Sequence, residues 1–139
     1  MSTDLKEFSY GGVTVRGDEV VVIRPRGKRL WTLPKGGALP GEDGAAAAGR
    51  EVREETGLEV TVGESLGKVE YSYRRGGRQV FKTVTFFRCE FVSGDVADHD
   101  HEVDEARWMA IEEARAALAF PGEREMIERA IGSQPSCRS

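Results

Sequence analysis

GGALPGEDGAAAAGREVREETGL, residues 36 to 58, passes from a glycine-rich loop into a helix and stops at a glycine. Four glycines and a proline between Lys35 and Gly44 give the composition of an ordered loop that approaches something closely. Asp43 is placed to cap a helix from about Gly44 to Thr56, four consecutive alanines favour that helix, and Gly57 takes the C′ position. At 100° per residue, Glu51, Glu54 and Glu55 fall within an arc of roughly 100°, so three carboxylates share one edge. Ala45, Ala48 and Val52 form the narrow apolar stripe expected to pack on a sheet, while Ala47 falls among the acids. Each like-charge pair at these spacings costs about 0.2–0.5 kcal/mol, and acids near a helix C-terminus oppose its dipole. A solvated acidic face is the simplest reading of such a run. The alternative is a hard divalent cation, magnesium or manganese, whose charge would offset the repulsion.

Outward from this helix the pattern is that of a sheet. Ser9 to Val15 and Glu19 to Arg24 read as a hairpin around Arg16-Gly17-Asp18, and Leu30 to Leu33 as a short strand cut off by Pro34. Glu59 to Tyr73 and Gln79 to Val92 read as long strands joined through Arg74-Arg75-Gly76-Gly77-Arg78. An acidic loop, Ser93 to Asp104, leads to a strand at Ala106 to Ala110, then to helices at Ile111 to Leu118 and Pro121 to Ile131. Residues 1–132 are expected to form one domain and 133–139 a frayed tail.

At 139 residues, 39% hydrophobic and 32% charged, the chain can bury a single core without staples. A net charge of −4 gives no electrostatic reason for nonspecific binding to nucleic acid or an anionic membrane, so a polyanionic substrate would have to be held locally. Cys89 and Cys137 make neither a disulfide framework nor a metal-spaced pair, and His99 and His101 lack ligand spacing with either. No apolar leader or membrane-length stretch is visible, and a cytoplasmic protein is the expectation.

Counted from Gly36, the chain places Glu42 after five residues and, after seven more, Arg50-Glu51-Val52-Arg53-Glu54-Glu55-Thr56-Gly57-Leu58. Every fixed position of the Nudix signature is met, and the chain is identified as resembling the Nudix (MutT-like) hydrolases. The resemblance implies an α+β fold, an α/β/α sandwich around a mixed sheet, and magnesium-dependent hydrolysis of a phosphoanhydride bond in a nucleoside polyphosphate. Carried over by position, it makes Glu51, Glu54 and Glu55 metal ligands, with a backbone carbonyl at Lys35 or Gly36 completing the set. Arg50 becomes the orienting arginine, able to pair with Glu54 one turn on and with Glu42 before the helix. Glu51, Glu54 or a late-loop acid, for which Glu102 is the candidate, would act as general base.

Three further stretches resemble the diadenosine-polyphosphate hydrolases of that family: Trp31-Thr32-Leu33-Pro34-Lys35-Gly36, Lys82-Thr83-Val84-Thr85-Phe86-Phe87, and His101-Glu102 followed by Arg107-Trp108. Lys35 and Lys82 are point charges suited to a phosphate chain, and Tyr73 could stack on a base. The bland readings are that Lys82 blunts a sheet edge, Tyr73 covers core, and Glu102 is an exposed loop acid. Arg24, Arg26, Lys28 and Arg29 form a basic loop that could extend a polyphosphate track. Dinucleoside polyphosphates are therefore the expected substrates of a monomer or homodimer, with sanitation of oxidised nucleoside triphosphates as the alternative. RNA 5′-end pyrophosphohydrolysis and an inactive nucleotide-sensing module are weaker alternatives.

Overall fold

A computed structural model describes residues 4–132. Its elements, in chain order, are β1 (Leu5–Arg16), β2 (Glu19–Pro25), β3 (Lys35–Gly36), α1 (Gly44–Thr56), β4 (Leu58–Arg75), β5 (Arg78–Gly94), β6 (Val103–Ala110), α2 (Ile111–Ala117) and α3 (Pro121–Gly132), with a single 3-10 turn at Val96–Asp98. The sheet runs β4-β5-β1-β2-β6, and the short β3 pairs with β1 beside this path. It is mixed: β1 lies parallel to β5, while β2, β3, β4 and β6 join antiparallel to their neighbours. This is the α+β sandwich expected from the sequence.

Adjacent residues of β1 define the two layers. Gly12 faces α1 so closely that a Cβ there would meet Val52 Cγ2 at 2.8 Å and Cys89 Sγ at 2.7 Å. Val13 points the other way, into a core shared with Met126 and Ile127 of α3 and Phe86 of β5. Since successive strand residues alternate faces, α1 and α3 cover opposite sides of the sheet. Phe86, Leu33, Leu58, Met126 and Ile127 are fully buried, each contributing about 1.5–3 kcal/mol of transfer free energy.

Several expectations from sequence need correction. Leu30 to Leu33 does not form a strand: Trp31 and Thr32 make only isolated bridges, to Leu118 and Ile23. The pairing segment is instead Lys35–Gly36, read from sequence as the start of a loop, which lies against Tyr10 and Gly11. Gly11 permits this, because a side chain there would collide with the Pro34 carbonyl, Lys35 and Phe86. β1 starts at Leu5 rather than Ser9, since its parallel register with β5 already pairs Leu5 with Val80. β6 likewise starts at Val103, opposite Pro25. Ala47 is buried with Ala48, Val52 and Thr56 rather than standing among the acids, because α1 packs against β1, β3 and β4 together. The expected tail, with Cys137, lies outside the described residues.

Candidate active site

Local chemistry fixes α1. Asp43 accepts a hydrogen bond from the Ala46 N–H at 2.8 Å, and Gly57, at φ 80°, closes the C-terminus with its N–H on the Arg53 carbonyl. The acidic edge this helix presents is organised by Arg50. Its guanidinium donates to Glu42 through Nε and Nη2, each at 2.9 Å, to the Gly37 carbonyl at 2.8 Å, and to Glu51 and Glu54 through Nη1 at 3.2 Å. Glu42 is thereby held down to a pKa of about 2, first by Arg50 and then by the Leu39 N–H. One arginine thus ties the loop to the helix, as the spacing of Glu42, Arg50 and Glu54 implied.

The three motif acids line one edge but do not close on a single point. Arg50 holds Glu51 and Glu54, whereas Glu55 turns inward to accept the Lys35 N–H at 3.0 Å. Among the described residues, no three histidine, cysteine or acidic side chains are gathered closely enough to hold a metal ion. Ionising the inner acids is nevertheless costly. Burial pushes Glu55 up to about 8, with the charge of Glu51 adding to it, and burial likewise raises Glu51 against the opposing pull of Arg50. Gly36 stands against Glu51 so closely that a Cβ would overlap the carboxylate, which brings the backbone of Lys35 and Gly36 alongside the acids. The potential donors on this edge are therefore carboxylate oxygens, with too little cationic charge near Glu55, and such a set suits a hard divalent cation.

Beside the acids opens a cleft of about 570 Å³ lined by Leu30, Lys35, Tyr71, Tyr73, Lys82 and Phe120. It gathers all three residues expected to bind substrate. Lys82 belongs to β5, an inner strand between β4 and β1, so the edge-blunting reading fails. Burial lowers its pKa, with Lys35 contributing. Tyr73 is 38% exposed and donates its hydroxyl to Glu7 at 3.1 Å, so it covers no core. Of the basic loop, Lys28 reaches the cleft, whereas Arg24 is paired with Glu105 and Asp104.

Glu102 is exposed on the late loop, and its charge contributes to raising the Glu51 pKa, so the two acids lie within electrostatic reach. The loop is fastened to the helix by the Asp100 N–H, which donates to the Glu54 carbonyl at 2.8 Å. Asp100, Tyr71, Phe120 and Glu123 were not singled out from sequence. Glu123 had a legible signal: Met126, Ile127 and Ala130 follow it at helical spacing, which places an acid on the apolar stripe of α3. Tyr71 and Phe120, which meet edge to face with centroids 5.1 Å apart, come from segments distant in sequence and carried none.

Comparison with known proteins agrees with this architecture. The chain is 42% identical over 132 residues to a putative mutator protein MutT4 of Mycobacterium tuberculosis, a match covering 88% of this chain and 53% of that protein. It is 36% identical over 125 residues to an 8-oxo-(d)GTP phosphatase of Mycolicibacterium smegmatis, covering 88% of this chain and 37% of the relative. The chain thus spans about half or less of the length of these curated relatives. In fold it resembles an Ap4A hydrolase of C. elegans, with a TM-score of 0.72, 24% identity, and coverage of 91% of this chain and 96% of the other. The NUDIX domain model matches residues 7–130, and with the signature intact from Gly36 to Leu58 the chain belongs to the NUDIX family.

Proposed function

We propose that the protein hydrolyses a phosphoanhydride bond in nucleoside polyphosphates, with dinucleoside polyphosphates such as diadenosine polyphosphates as its first substrate class. One observation carries this reading: Lys35 belongs to both halves of the site. Its backbone N–H is held by Glu55 of the acidic helix, while its side chain lines the cleft with Lys82 and the tyrosines. A phosphate chain lying along Lys35 and Lys82 would therefore run from the aromatic cleft to the carboxylates.

In this reading the cleft receives a nucleoside, with Tyr73 offering an exposed ring for stacking. Lys35 and Lys82 hold phosphate oxygens as point charges. Glu51, Glu54, Glu55 and the backbone carbonyl at Lys35 or Gly36 would hold magnesium or manganese, which when bound would neutralise phosphate charge and lower the pKa of the attacking water. Arg50 orients Glu51 and Glu54 from the side. Glu51, Glu54 or Glu102 accepts the proton of the attacking water; burial makes Glu51 a stronger base than an exposed carboxylate.

The 36% identity to an 8-oxo-(d)GTP phosphatase supports a second reading, removal of oxidised nucleoside triphosphates, served by the same residues. Product release from both substrate classes with magnesium, in oxygen-18 water, compares the two and identifies the phosphorus attacked. Glu54→Gln is expected to lower kcat on the order of 10²–10⁴-fold. Equal background rates for wild type and Glu54→Gln on every substrate would end the enzymatic reading.

A further inference from the structure

Among the described residues, Glu123 is the one charged side chain that is fully buried. It lies at the start of α3 under the cleft and carries three bonds. Oε1 accepts the Leu33 N–H at 2.9 Å, and Oε2 accepts both the Tyr71 hydroxyl at 2.8 Å and the Lys35 ammonium at 3.0 Å. Leu33 and Lys35 flank Pro34 on the segment that enters the motif, and Tyr71 is a wall of the cleft.

We propose that Glu123 is a positioning residue for substrate binding, acting through Lys35. This rests on the function proposed above. A lysine side chain has four rotatable carbons and a point charge with no direction of its own. Here its ammonium is fixed between Glu123 and the Leu33 carbonyl, 3.4 Å away, and stands 5.9 Å and 6.0 Å from the ring centroids of Tyr71 and Phe120. The same residue's N–H is held by Glu55. Lys35 is thus clamped at both ends, by α3 on the cleft side and by α1 on the acidic side. Its charge faces the cleft without the rotamer entropy a free lysine would lose on binding.

A role limited to charge predicts the opposite consequence. If Glu123 merely cancelled Lys35, removing its negative charge would strengthen attraction of an anion and lower KM. If it aims Lys35, removing it raises KM. Glu123→Gln separates the two, since the amide oxygen can still accept from Leu33 and the amide nitrogen can donate to the Tyr71 oxygen, while the ammonium loses its carboxylate acceptor and keeps only the longer bond to the Leu33 carbonyl.

The test compares wild type, Glu123→Gln, Lys35→Gln and the double variant, which leaves no unpaired buried charge. Kd for a non-hydrolysable methylene triphosphate analogue of adenosine is measured by calorimetry, with KM and kcat on a diadenosine polyphosphate and thermal unfolding of each variant. Glu123→Gln is expected to raise Kd and KM about fivefold or more with kcat within about twofold, and the double variant to be no worse than Lys35→Gln alone. Unchanged or lowered KM in Glu123→Gln, a loss of Tm without a change in Kd, or multiplicative losses in the double variant would overturn the assignment. A wild type that neither binds the analogue nor hydrolyses the substrate overturns the proposed function and this inference together. One that does both while Glu123→Gln matches it overturns the inference alone.

Discussion

Glu55 sits where a carboxylate is expensive to ionise. Burial raises its pKa to about 8, and the Lys35 N–H offsets only part of the cost. The unfolded chain ionises it near 4.5, so between these values the unfolded state binds fewer protons than the folded one. Stability contributed by the protonated form is therefore fully present below about pH 4.5 and is lost as pH rises through about 8. In chelator, the Tm of the wild type should decline across that window, and Glu55→Gln should flatten the decline. A Glu55→Gln profile parallel to wild type would show that other groups set the slope. The residue's identity as a motif acid was legible from the spacing of Arg50, Glu51, Glu54 and Gly57. Its burial was not, because the Lys35 N–H and the charge of Asp100 come from elsewhere in the chain.

Elements whose boundaries rest on local chemistry were legible, and those that rest on long-range pairing were displaced. α1 runs from Gly44 to Thr56 as the Asp43 cap and Gly57 stop require. By contrast, the first residues of β1 and β6 become strand only because β5 and β2 lie alongside them, and β3 exists only because Gly11 leaves room. The helix stop offers a direct test. Gly57 adopts φ 80°, and a Cβ there would collide with the backbone carbonyl of Asp95. The left-handed conformation alone costs a non-glycine residue roughly 1–2 kcal/mol, and the collision falls on backbone that cannot step aside as a side chain can. Gly57→Ala should therefore lower the urea unfolding free energy by more than about 1 kcal/mol. It should also disturb the late loop, since Asp95 precedes the segment that Asp100 fastens to Glu54. An unchanged urea midpoint would mean that the loop yields freely.

At the scale of the whole molecule, the site is a junction of segments distant in sequence. The strand before the motif, the acidic edge of α1, the walls from β4 and β5, and the start of α3 meet around Lys35. A ligand that bridges these parts stabilises the fold by mass action, by about 2.7 kcal/mol at a concentration one hundred times its Kd. A divalent cation requires ionised ligands, so binding at the proposed site would have to drive the proton from Glu55, and that cost falls as pH rises toward 8. Magnesium or manganese should therefore raise the Tm at pH 8 more than at pH 5.5 and should shrink the decline seen in chelator. Adding the methylene triphosphate analogue should raise it further, since in the proposed site its phosphate oxygens would supply further ligands to the cation while Lys35 and Lys82 would draw the other segments in. Differential scanning calorimetry across this grid, with Glu51→Gln as reference, reads the coupling. A cation effect equal at both pH values, or equally large in Glu51→Gln, would remove the acidic edge of α1 as the cation's site.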